Sequence, residues 1–252
     1  MNDTRTISKF ILWDFDETLA YREGRWTRCI ATIIDNRFPD LGATREALAP
    51  FLKNQFPWHA PQNAHLHIRD ADSWWNWISP TLENAISSAF GLPSAISREI
   101  AIEVRHAYLD PAFWVVYPDV KPCLESLKIQ GWKHIILSNH VPELETLVTN
   151  LDLRDYFETV HTSALSGYEK PHPESFRVAI RELPPHSHCV MVGDNYRADI
   201  LGAEAIGLHG ILVRKPHLKA NYFLDDLRDL PLVLNQTLSF LSPPATSLRL
   251  KT

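Results

Sequence analysis

The chain has 252 residues, 45% of them hydrophobic and 22% charged, which is enough apolar material for one large or two coupled domains with a packed core. A formal net charge of -5 argues against a general binder of nucleic acid or anionic membrane, since both concentrate positive charge. Cys29, Cys123 and Cys189 contain no CxxC pair and MNDTRTISKF has no apolar signal core, so neither a disulfide framework nor a cysteine zinc site is expected, and a soluble cytoplasmic protein is.

The first apolar run is Phe10 to Phe15, read as a buried strand, and it ends in WDFDETLA. Side chains alternate along a strand, so Asp14 and Asp16 project to one side and Phe15 to the other. Two like charges in one place raise the energy of the doubly ionised form, which a cation, a proton or a bound ligand relieves. The alternative is a strand end that opens a loop, with Asp16 or Thr18 capping the next helix.

Between residues 21 and 115 strand signals vanish and apolar positions recur at helical spacing. Ile30, Ile33, Ile34 and Phe38 form one stripe, Trp74, Trp77, Ile78, Ala85, Ile86 and Ala89 a second, and Ile96, Ile100, Val104, Ala107 and Tyr108 a third. SWWNWI therefore reads as core packing through Trp74, Trp77 and Ile78, with Trp75 off the stripe. His59, His65 and His67 lie in a proline-interrupted stretch that reads as a polar loop, although imidazoles are also metal ligands. Tyr21, Arg22, Arg25 and Trp26 follow the first strand closely enough to border a pocket, where an arginine would hold an anionic substrate; a solvated hinge fits equally.

From residue 116 strands and helices alternate. Helices are expected over 120–130, 142–150, 173–181 and 198–206, the first and last ending at Gly131 and Gly207. Strands are expected over 134–137, 189–192 and 210–213, with a weaker one over 159–165. This is the pattern of an α/β fold with a doubly wound parallel sheet. Residues 243–252 read as a loose tail.

Ligands of such sheets bind beyond the carboxyl ends of the strands. The first strand ends in Asp14-Phe15-Asp16-Glu17-Thr18, the second in Ser138-Asn139, a later connection carries Lys170-Pro171, and another strand ends in Gly193-Asp194 with Asp199 five residues on. Taken singly, each also reads as a turn, a solvated loop or a helix entrance. In this order, over about residues 8 to 215, the four stretches resemble the motifs of the haloacid dehalogenase-like hydrolase superfamily, and the helical insert resembles that family's cap domain.

The resemblance implies a Rossmann-like catalytic core from 1–20 and 116–252 with an all-helical cap from 21–115. It implies Asp14 as nucleophile and metal ligand, Asp16 as acid and base that also lends its backbone carbonyl to the metal, and Asp194 as the remaining protein ligand. Ser138, Asn139, Lys170 and Thr18 would bind phosphate and Asp199 would orient the site, though Thr18 also reads as a structural hydroxyl closing the turn. The cofactor implied is Mg²⁺, a hard ion that selects oxygen ligands. The activity implied is a phosphatase acting on a small phosphorylated metabolite through an aspartyl-phosphate, with no nucleic acid or membrane partner. Alternatives are a phosphomutase, a phosphonatase using Lys53, the single lysine of the insert, a 2-haloacid dehalogenase, or a non-catalytic binder of a phosphorylated ligand.

Overall fold

The computed structural model describes residues 7–68 and 70–237. Strands β1 (Lys9–Trp13), β2 (Ala20–Arg22), β3 (Trp114–Val116), β4 (Trp132–Ser138), β5 (Phe157–Thr162), β6 (His188–Gly193), β7 (His209–Val213) and β8 (Phe223–Leu224) form two sheets. The larger has the order β5-β4-β1-β6-β7-β8 with every pair parallel. The chain runs from β1 out to β5 on one side and then from β6 to β8 on the other, so the winding reverses beside β1. That reversal opens a crevice at the carboxyl edge.

Strand β1 shows why the sheet forms. Phe10 and Leu12 enter one layer with Leu137, Met191 and Phe176, while Ile11 and Trp13 enter the other with Ile136, Val192 and Leu124. Each such side chain contributes about 1.5–3 kcal/mol when fully buried, and between Lys9 and Asp14 the strand carries no charge. Regular pairing stops at Trp13, short of the expected Phe15. One further bond, from Asp14 N to Val192 O at 2.9 Å, precedes a turn in which Phe15 O accepts from the amides of Thr18, Leu19 and Ala20.

On the sheet's faces lie α5 (Val120–Ile129), α6 (Leu144–Asn150), α7 (Ser163–Ser166), α8 (Pro173–Ile180), α9 (Gly202–Glu204) and α10 (Leu230–Thr237). Gly131 and Gly207 both take φ of 82°, the left-handed stop expected of them. Two boundaries differ from the sequence reading. The weak strand ends at Thr162, because the Thr162 hydroxyl accepts from Ala164 N and starts α7 instead. The segment expected as a helix from 198 begins as a π-turn over Tyr196–Leu201, since Asn195 Oδ1 accepts from both Arg197 N and Ala198 N.

Helices α1 (Arg25–Arg37), α2 (Arg45–Leu52), α3 (Ala71–Phe90) and α4 (Ser94–Leu109) pack on one another. Ile30, Ile34, Leu48, Trp74, Ile78, Ile100 and Val104 fill the space between them. The roles expected of two tryptophans are exchanged. Trp77 is 39% exposed, against the rings of His65 and His67. Trp75 is buried, and its indole Nε1 donates to Glu143 Oε2 at 3.1 Å. Helix α3 has neighbours on two sides, so its buried face is wider than a single stripe.

Strand signals are not wholly absent from this stretch either. β2 and β3 pair antiparallel, Tyr21 against Val115 and Arg22 against Trp114, where the chain leaves and rejoins the α/β part. Three residues are too few to show a period of two. Among the described residues no helix is long and apolar enough to cross a membrane. The expected tail at 243–252 lies outside the described residues.

Candidate active site

The carboxyl edge of the sheet gathers side chains from four separate segments. Asp14, at the end of β1, has its Oδ1 fixed by the Ser138 hydroxyl at 2.7 Å and the Lys170 ammonium at 2.8 Å. Lys170 Nζ also donates to Asp199 Oδ1 at 2.6 Å. The lysine is buried. Burial alone would lower its pKa, but the Asp14 and Asp199 carboxylates outweigh it and hold the group well above its ordinary value. Asn139 fixes the loop that carries it: Asn139 Nδ2 donates to Lys170 O at 2.9 Å, and Lys170 N donates to Asn139 Oδ1 at 2.7 Å.

Asp199 is fully buried on the π-turn, and its Oδ2 accepts from Asn195 N at 2.9 Å. A Cβ on Gly193 would stand 2.2 Å from that Oδ2, so the carboxylate and the end of β6 can meet only over a glycine. Burial pushes Asp199 up to about 7, with the Lys170 charge opposing. Burial and then the nearby Asp14 charge raise Asp194 to about 6, with Lys215 opposing from 2.5 Å.

Ligand oxygens of Asp14, Asp194 and Asp199 lie within 4.8 Å of one another, all three residues buried. Carboxylates so crowded repel one another and favour a bound cation, and an all-oxygen donor set fits a hard divalent ion such as Mg²⁺.

Asp16 approaches from the loop after β1. Burial pushes its carboxyl up to about 7, with Arg25 drawing it back and Asp14 adding to the rise. Its Oδ1 has no hydrogen-bond partner and lies 3.8 Å from His140 Nε2, itself unpartnered. Burial pushes His140 down to about 4, so the ring is neutral near pH 7. A carboxyl titrating near neutrality beside a cavity has the property a general acid and base needs.

Thr18 is brought to the turn but not to the cavity. Its side chain is fully buried, and its carbonyl accepts from Arg214 Nε at 2.9 Å. The three histidines at 59, 65 and 67 do not meet. His59 Nδ1 accepts from Phe56 N, His65 Nε2 lies 3.1 Å from Glu169 Oε1 in a buried pair, and His67 packs on Trp77.

Sequence reasoning passed over His140, Glu169 and Lys215. Each had a signal in its position: His140 directly follows Ser138-Asn139, Glu169 precedes Lys170, and Lys215 lies just past the strand at 209–213 on the same edge.

A cavity of about 1500 Å³ extends from these carboxylates to the start of α1 and along α2. Asp14, Asp16, Asn139, Lys170, Asp194 and Asp199 line one side, while Tyr21, Arg22, Arg25 and Trp26 all border it. The floor can thus hold a cation and a phosphoryl-sized anion together, and the far wall brings Arg22, Arg25 and Arg45 together with Glu23 and Glu46.

Comparison with known proteins relates the chain to hydrolases of one family. The chain is 33% identical over 125 residues to haloacid dehalogenase-like hydrolase domain-containing protein 3 of Mus musculus, covering 49% of this chain and 50% of that protein. It is 37% identical over 113 residues to a ribulose-1,5-bisphosphate 5-phosphatase of Halopiger xanaduensis, covering 41% of this chain and 47% of that one. The chain thus spans about half the length of these curated relatives. In fold it is similar to an HAD phosphatase from Thermococcus onnurineus, with a TM-score of 0.64 and 23% identity over 90% of this chain and 97% of that one. The model of the haloacid dehalogenase-like hydrolases matches residues 9–207, and with the parallel sheet and its acidic edge this shows that the chain belongs to that family.

Proposed function

We propose that the protein is a Mg²⁺-dependent phosphatase for small phosphorylated metabolites, with residues 21–115 as a cap over a core formed by 1–20 and 116–252. The observation that carries the reading is the Asp14 carboxylate, held through Oδ1 by Ser138 and Lys170 beside Asp194 and Asp199. Phosphatases among the relatives support it, including those named for ribulose-1,5-bisphosphate and glyceraldehyde 3-phosphate.

In this reading Asp14 attacks phosphorus, the bond to the ester oxygen breaks, and Asp16 delivers its proton to that oxygen. Asp16, now ionised, then takes a proton from water as the water attacks the aspartyl-phosphate, which frees phosphate and the Asp14 carboxylate. Asp14, the Asp16 carbonyl and Asp194 would hold Mg²⁺, whose charge offsets the repulsion between the phosphoryl oxygens and the acids. Both oxygens of Asp199 are engaged by Lys170 and Asn195, which suits an orienting role. Lys170 and Ser138 hold the nucleophile and meet the phosphoryl group, and Asn139 keeps Lys170 in place. A halide leaves without a proton, so the carboxyl of Asp16, raised to about 7, favours ester hydrolysis over dehalogenation.

The test is release of phosphate from a panel of phosphorylated metabolites, with 2-haloacids assayed alongside. Asp14→Asn should abolish release while the circular dichroism spectrum is kept. Halide release without phosphate release would overturn the proposal.

A further inference from the structure

The cavity wall away from the carboxylates carries cations that phosphoryl transfer at Asp14 does not use. Arg22, on β2, is only 6% exposed, lines the cavity, and has its Nη1 buried without a hydrogen-bond partner. Among the described residues no carboxylate pairs with it. Its guanidinium lies 4.8 Å from the Phe113 ring and 5.6 Å from the Tyr108 ring. The thiol of Cys29 beside it is pushed up to about 11 by burial and is neutral. The rings offset part of the cost of burial. They do not supply a counter-charge, and a buried cation without one is expensive.

A second cation stands in the same cavity. Arg45, the first residue of α2, is exposed, and its side chain has no ion pair or hydrogen bond among the described residues. Its Nε comes within 3.0 Å of where a Cβ on Gly24 would be, and Gly24 has φ of 65°, so a glycine leaves room for the guanidinium against the turn before α1. Of the other cations lining the cavity, Arg25 pairs with Glu17 and Lys215 with Asp194, whereas Lys53 and Arg197 are exposed to solvent. Arg22 differs from all of these in being a buried cation with no acid beside it, and Arg45 is held against the same turn by Gly24.

We propose that Arg22 and Arg45 form a recognition site for a second anionic group of the substrate, a carboxylate or a phosphate, distinct from the phosphoryl group attacked by Asp14. The proposal rests on the phosphatase reading for the identity of the first group. The substrate class is then a small phosphate ester bearing a further anion at its other end. Arginine suits this because its planar fork matches both carboxylate and phosphate oxygens. The buried position of Arg22 screens the interaction little, so the second anion adds selectivity that an exposed pair would not.

The experiment compares three esters of one chain length: propyl phosphate, 3-phosphonooxypropanoate and propane-1,3-diyl bisphosphate. The wild-type protein should prefer one of the two doubly anionic esters over propyl phosphate by about tenfold or more in kcat/KM, chiefly through KM. Which ester is preferred distinguishes carboxylate from phosphate. Arg22→Met should reduce that preference to about threefold or less, and Arg22→Lys should restore part of it. Should Arg22→Met fail to fold, Arg45→Met should lower the preference in the same direction. No preference in the wild type, or an unchanged preference in the folded variants, would overturn the proposal.

Titration calorimetry with non-hydrolysable propane-1,3-diyl bisphosphonate separates this from the reading beneath it. If none of the esters turns over, the phosphatase reading fails. Binding weakened about tenfold in the Arg22 or Arg45 variant would then uphold the anion site, and absent or unaltered binding would end it.

Discussion

Replacing His134 with glutamine should remove about 2 kcal/mol of the protein's loss of stability between pH 7 and pH 5. His134 sits on β4, almost fully buried, with Nδ1 accepting from Trp13 Nε1 at 3.1 Å and Nε2 facing Leu124 O at 3.2 Å. Indole is only a donor, so the neutral ring must carry its proton on Nε2, and a second proton on Nδ1 would face the Trp13 N–H. Burial pushes the imidazole from 6.5 down to about 4, Leu124 O opposing and Lys128 adding to the fall. The folded value is below the unfolded one, so the unfolded chain binds the proton more readily. The stabilisation is therefore whole above the unfolded value and is lost as pH falls towards the folded one. Over the full shift it amounts to about 3 kcal/mol, of which about 2 kcal/mol falls between pH 7 and pH 5.

Glutamine can accept from Trp13 and donate to Leu124 without titrating. Urea unfolding of both proteins at the two pH values gives the double difference, in which other titrating groups cancel. In thermal unfolding the same difference is about 4–8 °C for a chain of this size. Identical pH dependence in the two proteins would show that His134 is not held neutral by its surroundings.

EDTA should abolish phosphate release and Mg²⁺ restore it, with Tm rising as Mg²⁺ is added; full activity after exhaustive chelation would refute the ligand assignment. Asp16→Asn should slow alkyl phosphates far more than p-nitrophenyl phosphate, because nitrophenolate leaves without a proton. With the aryl substrate a burst of nitrophenol and a depressed steady rate should follow, and equal losses for both esters would move the acid and base role elsewhere. Gly193→Ala should cost about 1–3 kcal/mol in urea unfolding and lower kcat/KM, because the new Cβ would stand 2.2 Å from Asp199 Oδ2. Unchanged kcat/KM would mean that Asp199 need not hold its place against Lys170.

Strands covered on both faces were legible because continuous burial leaves continuous apolar runs, as at 134–137, 189–192 and 210–213. Strand β5 is at the sheet edge and carries adjacent exposed residues, Glu158 and Thr159, in place of a continuous apolar run, so its end could not be told from the start of α7. The acids, the serine and the lysine of the site could be anticipated because parallel strands deliver their carboxyl ends to one edge. Contacts between the helical part and the sheet could not be. His65 and Glu169 are 104 positions apart, and no local period links them. Trp75 and Trp77 differ by which side of α3 finds a carboxylate, and Glu143 lies 68 positions from Trp75.

The carboxamide of Asn139 imitates a peptide unit. It offers one donor and one acceptor to the backbone of Lys170 and receives the complementary pair in return, which is the hydrogen-bonding grammar of a sheet ladder carried one rung beyond the last strand residue, Ser138. The Lys170 backbone is thereby registered against β4 although it belongs to no strand. An aspartate at 139 would turn an oxygen towards the Lys170 carbonyl, and a serine would be too short to reach both atoms. The position thus reads a chemical shape, donor beside acceptor at fixed spacing, and the lysine's reach to Asp14 inherits its accuracy from the sheet itself.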